Sequence, residues 1–466
     1  MEKKSKHFHF MGIGGIGMSG LASIMRAQGH CVSGCDQNCS QKSIALLRAQ
    51  GCSISEGHNG SSCKDETIET LIYSTAVSLS HPEILRAKKR GITLWHRSEL
   101  LANLSKEHTT IAIAGSHGKT TTTALIGHLL VESKLDPTIV VGGFVQNLGS
   151  NARVGASEYL VAEADESDRS FVRLSPSIAV ITNIDLEHLD TYHDINDIKS
   201  EFCHFIAQLS EKGKAIVCID DQNVSNLIQQ MLPARDQNKI ITYGRSSKAH
   251  YQISNIELFS SHSTGTISFQ NGTQHSFLIP LAGSHNALNA TAAIAVAHEL
   301  GVSPTVISSA IEKFRGVEQR FTWCGTFHRA DVFDDYGHHP TEIFHTLQIA
   351  RKRAEKRVIV IFQPQRFSRT EKLWGEFIHV LSRSPIDQLI ITDIYPAGEQ
   401  PIQTISGARL ATELAHHAPF PVIYCPEEPG WATLQKLIEN LTQTGDLLLF
   451  MGAGKVNSLA HKIARK

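Results

Sequence analysis

The chain has 466 residues, 41% of them apolar, too many for a single core; at about 150 residues per domain it should divide into roughly three. Its 44 Lys and Arg nearly balance 45 Asp and Glu, which excludes a global field that would recruit nucleic acid or an anionic membrane. The nine cysteines are odd in number and scattered (Cys31, Cys35, Cys39, Cys52 and Cys63 come early), so they make no disulfide framework and suit a reducing cytoplasm.

The opening "MEKKSK" and the apolar run behind it mimic a secretory signal, but five glycines from Gly12 to Gly20 make a poor helix and no small-residue cleavage site follows. The segment is therefore read as mature protein. No apolar run of about 18 residues occurs elsewhere, so no membrane-spanning helix is expected. Residues 1–105 begin with a strand at "HFHFMGIG", a Gly-rich turn, a helix at "MSGLASIMRAQGH" and a strand at "CVSGCD", the start of a doubly wound, Rossmann-like fold. Gly12, Gly14, Gly15 and Gly17 supply the nucleotide fingerprint, and Asp36 follows at the distance where a carboxylate meets a ribose hydroxyl. Cys31, Cys35 and Cys39 recur every four residues, but "CVSGCDQNCS" is too rich in Gly, Asn and Ser for a helix, and the spacing is not read as a metal site.

Residues 106–315 carry a strand at "TTIAIAG", then "SHGKTTTTALIGHLL". Gly115 and Gly118 are separated only by Ser116 and His117, a shorter loop than the usual phosphate-binding one. Backbone N–H groups there can turn onto phosphate oxygens at a helix N-terminus, Lys119 adds a point charge, and the Thr120 hydroxyl can ligate magnesium, with Thr121 following. Further apolar strands are expected at "YLVAEAD" and "SIAVITNID", giving a second, mostly parallel sheet. The first ends in the acidic run Glu163, Asp165, Glu166 and Asp168, of which at least one is expected to serve a metal. The second leads to Asp185, Glu187, His188, Asp190 and His193, with His188 a ligand or catalytic candidate. The polar stretch from Arg235 to Phe277 reads as surface hairpins, and Asn286 and Asn289 share one helix face suited to a base or phosphate.

Residues 316–466 show strands at "RVIVIFQ", "QLIITDIY", "PVIYC" and "DLLLFMGAG", a third Rossmann-like sheet. Arg320 lies near the boundary, and "VFDDYGHHPTE" supplies Asp334, Asp335, Tyr336, His338 and His339. Arg366 and Arg369 follow a strand end and suit a carboxylate.

Together "GIGGIGMSG", "GSHGKTTT", "EADESD", "HNALNATAA" and "DDYGHHPTE" resemble the Mur ligase family over essentially the whole chain. The resemblance implies an α/β protein of three domains: a UDP-sugar-binding domain (1–105), a central P-loop-type ATPase domain (106–315) and an amino-acid-binding domain (316–466). It implies ATP-dependent joining of L-alanine to the carboxylate of UDP-N-acetylmuramate through an acyl phosphate, with ATP and Mg²⁺, in the cytoplasm, by a monomer or weak homo-oligomer. It places ATP on Gly115 to Thr121, Asn286, Asn289, Arg320 and Asp335, and the metal on Thr120, Glu163 and His188. Gly12, Gly14, Gly15, Gly17 and Asp36 would hold the UDP-sugar. Tyr336, His338, Arg366 and Arg369 resemble the alanine pocket, and Lys119, His188 and His338 the catalytic groups. Gln365 departs from the family's usual His, and "DLEH" exchanges the usual Glu and Asp before the metal histidine.

A related reading is a ligase that joins a whole peptide to the same UDP-sugar. A nicotinamide-dependent oxidoreductase would use Gly12, Gly14, Gly17 and Asp36 but leaves Lys119 and the acidic runs unexplained. A non-enzymatic nucleotide switch has no use for Arg366 and Arg369.

Overall fold

A computed structural model describes residues 5–58, 65–188, 191–269 and 271–464. Cys63 and Asp190 lie outside the described residues. Three separate sheets follow one another along the chain.

The first contains β1 (His7–Met11), β2 (Cys31–Asp36), β3 (Ser53–Glu56), β4 (Thr70–Tyr73) and β5 (Thr93–His96), all parallel in the order β3-β2-β1-β4-β5. Its first helix, Ile16–Ala27, follows the glycine turn as expected.

The central sheet has ten strands: β6 (Thr109–Ala114), β7 (Thr138–Val145), β8 (Ser150–Arg153), β9 (Tyr159–Glu163), β10 (Ile178–Ile181), β11 (Lys214–Cys218), β12 (Ile240–Gly244), β13 (Tyr251–Leu258), β14 (Ser263–Ser268) and β15 (Gln274–Ile279). The order is β15-β14-β13-β12-β11-β10-β6-β9-β7-β8, mostly parallel. The stretch from Arg235 to Phe277 does form hairpins, but they belong to the central sheet rather than standing apart on the surface. It contributes parallel β12 and then an antiparallel meander that extends the sheet. Ile253, Ile267, Phe269, Phe277 and Ile279 are buried there, while their polar neighbours face outward, so a polar composition conceals a half-buried pattern.

The third sheet contains β16 (Thr322–Phe327), β17 (Ala330–Asp335), β18 (Val358–Phe362), β19 (Gln388–Ile391), β20 (Val422–Tyr424) and β21 (Leu447–Met451), in the order β16-β17-β21-β18-β19-β20. Only β16 is antiparallel to its neighbour.

The first two sheets share a continuous core. Phe8, Phe10, Leu100 and Leu104 belong to the same buried cluster as Ala112, Leu160, Phe171 and Phe202. Asn151 at the edge of the central sheet also donates to Ile16 O at 2.6 Å, tying the first helix to it. The third sheet keeps its own apolar layers on its two faces.

Candidate active site

In a parallel sheet the loops that leave the carboxyl ends of neighbouring strands converge. β10, β6 and β9 are adjacent, so the loops after Ala114, Glu163 and Ile181 meet. Gly115 has φ +132°, and a Cβ there would lie 2.1 Å from Thr182 Oγ1; Gly118, at φ +81°, would bring one to 2.7 Å from Asn289 Oδ1. Any side chain at either position would clash, so both backbone turns require glycine. The β10 exit pins the loop: Thr182 Oγ1 donates to His117 O at 2.6 Å, and His117 N donates to Asn183 Oδ1 at 2.8 Å. Helix Lys119–Glu132 begins at once, with its N-terminus under this loop.

Lys119 Nζ donates to Gly115 O (2.5 Å), Ser116 O (3.2 Å) and Glu166 Oε1 (2.7 Å). Burial alone would lower its pKa, but Glu166, Glu187, Glu163 and Asp165 hold it above the usual lysine value, so it stays charged. Thr120 Oγ1 donates to Glu163 Oε1 at 3.1 Å, and Gly142 N to Glu163 Oε2 at 2.8 Å. Burial raises the Glu163 pKa. His188, at φ +52°, points Nε2 toward Glu166 Oε1 (3.6 Å) and Glu187 Oε2 (3.8 Å).

The acidic run therefore divides. Glu163 and Glu166 face the phosphate loop, whereas Asp165 pairs with Arg97 at 2.5 Å and Asp168 lies 3.8 Å from His96, joining the first two sheets. Sequence reading did not assign Glu166 or Glu187 individually, although both stand beside residues it chose.

A cavity of about 740 Å³ opens beside the loop. His117, Gly118 and Thr121 line it together with Asn286, Asn289, Arg320 and Asp335, so the expected nucleotide residues from two sheets share one wall. Asn289 Nδ2 donates to Asn286 Oδ1 at 3.3 Å. Arg320 sits over the Tyr336 ring at 5.3 Å and 3.6 Å from Glu342. Asp335 accepts from Phe321 N (2.8 Å) and Gly337 N (2.7 Å), and burial raises its pKa to about 6.

The third sheet meets the loop through polar groups. His117 Nε2 lies 3.1 Å from Asp185 Oδ2, which also accepts from Thr341 Oγ1 at 2.8 Å. Glu342 is 3.7 Å from His117 Nδ1, an ion-pair separation rather than a hydrogen bond. Although burial opposes it, hydrogen bonding to Asp185 and the nearby carboxylates raise the His117 pKa to about 10. Glu342 also forms a capping box with His339 at the start of helix Pro340–Arg353. Glu342 was not singled out from sequence, although the Pro-Thr-Glu after His339 carried the capping signal.

Arg366 and Arg369 line a second, much smaller cavity with Glu187, His188 and His339. Arg369 is held by Gln365, whose Oε1 accepts from Nη1 at 2.8 Å, and stands 4.0 Å from Glu187. Tyr336 and His338 do not line this cavity: Tyr336 turns toward Arg320, and His338 Nδ1 donates to Tyr336 O at 2.9 Å. Burial, then Arg369, lowers the His338 pKa to about 4.

In the first sheet, Gly15 caps helix Ile16–Ala27, and Gly17 faces Arg97. Gly12 N donates to Cys35 O, and Gly14 N donates to Asp36 Oδ2 at 2.8 Å. Asn38 N occupies Asp36 Oδ1, so Asp36 shapes the glycine loop with both oxygens.

A glycine-lysine loop at parallel strand ends, flanked by buried carboxylates and faced by arginines from a separate sheet, has the parts expected of an ATP-dependent ligase. Three family models match in series: the Mur ligase family catalytic domain over residues 7–109, the Mur ligase middle domain over 113–297 and the Mur ligase glutamate ligase domain over 319–454. The chain belongs to the Mur ligase family. Among its relatives, the UDP-N-acetylmuramate–L-alanine ligase of Syntrophotalea carbinolica is 41% identical, covering 100% of this chain and 98% of that protein. The enzyme of that name from Aquifex aeolicus is 39% identical over 100% and 99%. A crystal structure of the UDP-N-acetylmuramate-alanine ligase from Thermotoga maritima superposes with a TM-score of 0.81 at 26% identity, covering 98% of each chain. A murein peptide ligase from Psychrobacter arcticus shares the fold, with a TM-score of 0.73 at 24% identity over 99% of this chain and 100% of that one.

Proposed function

We propose that the chain joins L-alanine to the carboxylate of UDP-N-acetylmuramate, converting ATP to ADP and phosphate, as a cytoplasmic step of peptidoglycan precursor synthesis. One observation supports this most directly. Lys119 links the two cavities: its loop walls the large one, and its partner Glu166 neighbours His188 in the small one lined by Arg366 and Arg369. A nucleotide-sized space thus adjoins two arginines suited to a small carboxylate. The division of labour follows: UDP-sugar on residues 1–105, ATP on 106–315 and the amino acid on 316–466.

The sugar carboxylate attacks the γ-phosphorus, the bond to the β-phosphate oxygen breaks, and ADP leaves. Both reactants are anions, so Lys119 and the helix N-terminus beneath the loop offset their repulsion. Thr120, Glu163, Glu166 and His188 would hold Mg²⁺. Their oxygen-rich donor set suits a hard cation, and among the described residues Glu166 Oε2 is buried without a hydrogen-bond partner. Bound there, the ion would supply further positive charge to the phosphates.

The alanine amine then attacks the acyl carbon, phosphate departs, and the new amide nitrogen sheds a proton. His338 is the proposed acceptor. Its Nδ1 is engaged by Tyr336 O, and its lowered pKa leaves Nε2 unprotonated at neutral pH. Its replacement by alanine is expected to slow amide formation by about 10²-fold or more, read in single-turnover assays; an unchanged rate would remove it from the mechanism.

ADP release with ATP, Mg²⁺ and UDP-N-acetylmuramate, with and without L-alanine, tests the whole reading. Release that requires both sugar and alanine is expected. Turnover without alanine, or preference for a tripeptide amine, would reject alanine as the acceptor substrate.

A further inference from the structure

We propose a buried zinc site in the first sheet, formed by His9, Cys35 and Glu83 with His58 as the fourth ligand. The alternation of β1 sends Phe8 and Phe10 into the core shared with the central sheet. His7, His9 and Met11 face the other way, where Met11 and Cys35 pack with Ile84 and Ala87 of helix Pro82–Lys89. His9, Cys35 and Glu83 are each 0% exposed. One ligand atom from each lies within 4.8 Å of the others. Cys35 Sγ is 3.4 Å from Glu83 Oε2 and 3.0 Å from His58 Nδ1. Zn–S and Zn–N bonds of about 2.3 and 2.1 Å in a tetrahedron put ligand atoms about 3.3–3.8 Å apart, so His9, Cys35 and Glu83 need only draw together, while His58, beside Cys35 but outside their group, must swing inward to complete the set.

A chain of hydrogen bonds fixes the His9 tautomer. Thr67 Oγ1 donates to Asp65 Oδ1 at 2.7 Å, so its oxygen accepts from His7 Nδ1, also at 2.7 Å. His7 Nε2 then accepts from Ser33 Oγ, and Ser33 in turn accepts from His9 Nδ1, both at 2.8 Å. The His9 proton is thereby placed on Nδ1 and a bare lone pair on Nε2. Among the described residues that Nε2 is buried without a hydrogen-bond partner.

A buried lone pair facing a thiol and a carboxylate is costly by itself and well matched to a cation. Nitrogen, sulfur and oxygen donors in a closed four-ligand set suit zinc better than magnesium. Uptake would transfer the Cys35 thiol proton to solvent, and one thiolate with one carboxylate would neutralise the dication. The four-residue cysteine spacing plays no part, because the ligands come from four different segments.

Cobalt(II) titration of the full, chelator-stripped chain under reducing conditions tests the site. One equivalent is expected to give a thiolate-to-cobalt charge-transfer band and tetrahedral visible bands, both abolished by excess Zn²⁺. Cys35→Ser should remove the charge-transfer band, while Cys324→Ser, at the other cluster of Cys, Asp and His, should keep it. Ser33→Ala leaves all four ligands in place but frees the His9 tautomer, and should weaken cobalt binding about 10–100-fold. No thiolate band at one equivalent, a band that survives Cys35→Ser, or unchanged affinity in Ser33→Ala would overturn the proposal.

Discussion

Lys119 and Glu166 form an ion pair at 2.7 Å, with the carboxylate 2% and the amine 14% exposed. Removing one partner of such a pair costs roughly 3–5 kcal/mol, because the other charge remains buried. Lys119→Met is therefore expected to abolish ADP release and lower the urea midpoint. Adding Glu166→Gln should recover part of the stability and none of the activity. Equal midpoints for the single and double variants would show that the two residues are not coupled. Lys119 was legible in the sequence because a lysine after a glycine turn has few other uses. Glu166 was not, because four carboxylates stand within six residues and only the folded chain shows which way each points.

At the scale of elements, the phosphate loop depends on contacts from two other segments. Gly118→Ala would force an L side chain into φ +81° and to 2.7 Å from Asn289 Oδ1. A loss of about 1–3 kcal/mol is expected, with a raised KM for ATP, since the same asparagine lines the large cavity proposed for ATP. Wild-type KM and stability in this variant would mean the loop is not held as described. The strands on either side of this loop were readable as apolar runs. Those of the outer meander were readable only as surface hairpins and not as part of the sheet, because each buries one face only and its composition is polar. The hairpin β16–β17, which delivers Asp335 to the site, was also missed: its strands are broken by charged and small residues.

For the whole molecule, the contrast between interfaces predicts where motion occurs. The first two sheets are joined by a shared apolar core, whereas the third is joined to the central loops by His117, Asp185, Thr341, Glu342 and the Arg369–Glu187 contact. Polar interfaces open more readily than apolar ones. The connecting segment holds Gln319 and Phe321 at positive φ, two strained positions close together, just after the turn at Gly316. Closure on nucleotide and sugar is therefore expected at residues 316–321, seen as a smaller radius of gyration in solution scattering. Scattering that ignores ligands would contradict it. The same interface should respond to pH. Folding raises the His117 pKa from 6.5 to about 10, so its contribution is complete below 6.5 and is lost as pH climbs toward the higher value. Thermal stability should fall across that interval, and His117→Gln should flatten the fall; an identical profile in the variant would remove His117 as its source.

Local chemistry by itself determined much of this protein. Glycine spacing, apolar strand runs and the residues after them specified three α/β units and most of the residues around the phosphate loop, because backbone turns and strand burial depend on neighbours in sequence. Tertiary structure alone decided how the acidic run is shared between the loop and the first sheet. It also decided that Arg366 and Arg369 face a different cavity from Arg320, and that His9 meets Cys35 and Glu83. Those outcomes depend on which strand ends are brought together, and pairing between segments far apart in the chain leaves no periodic trace in it.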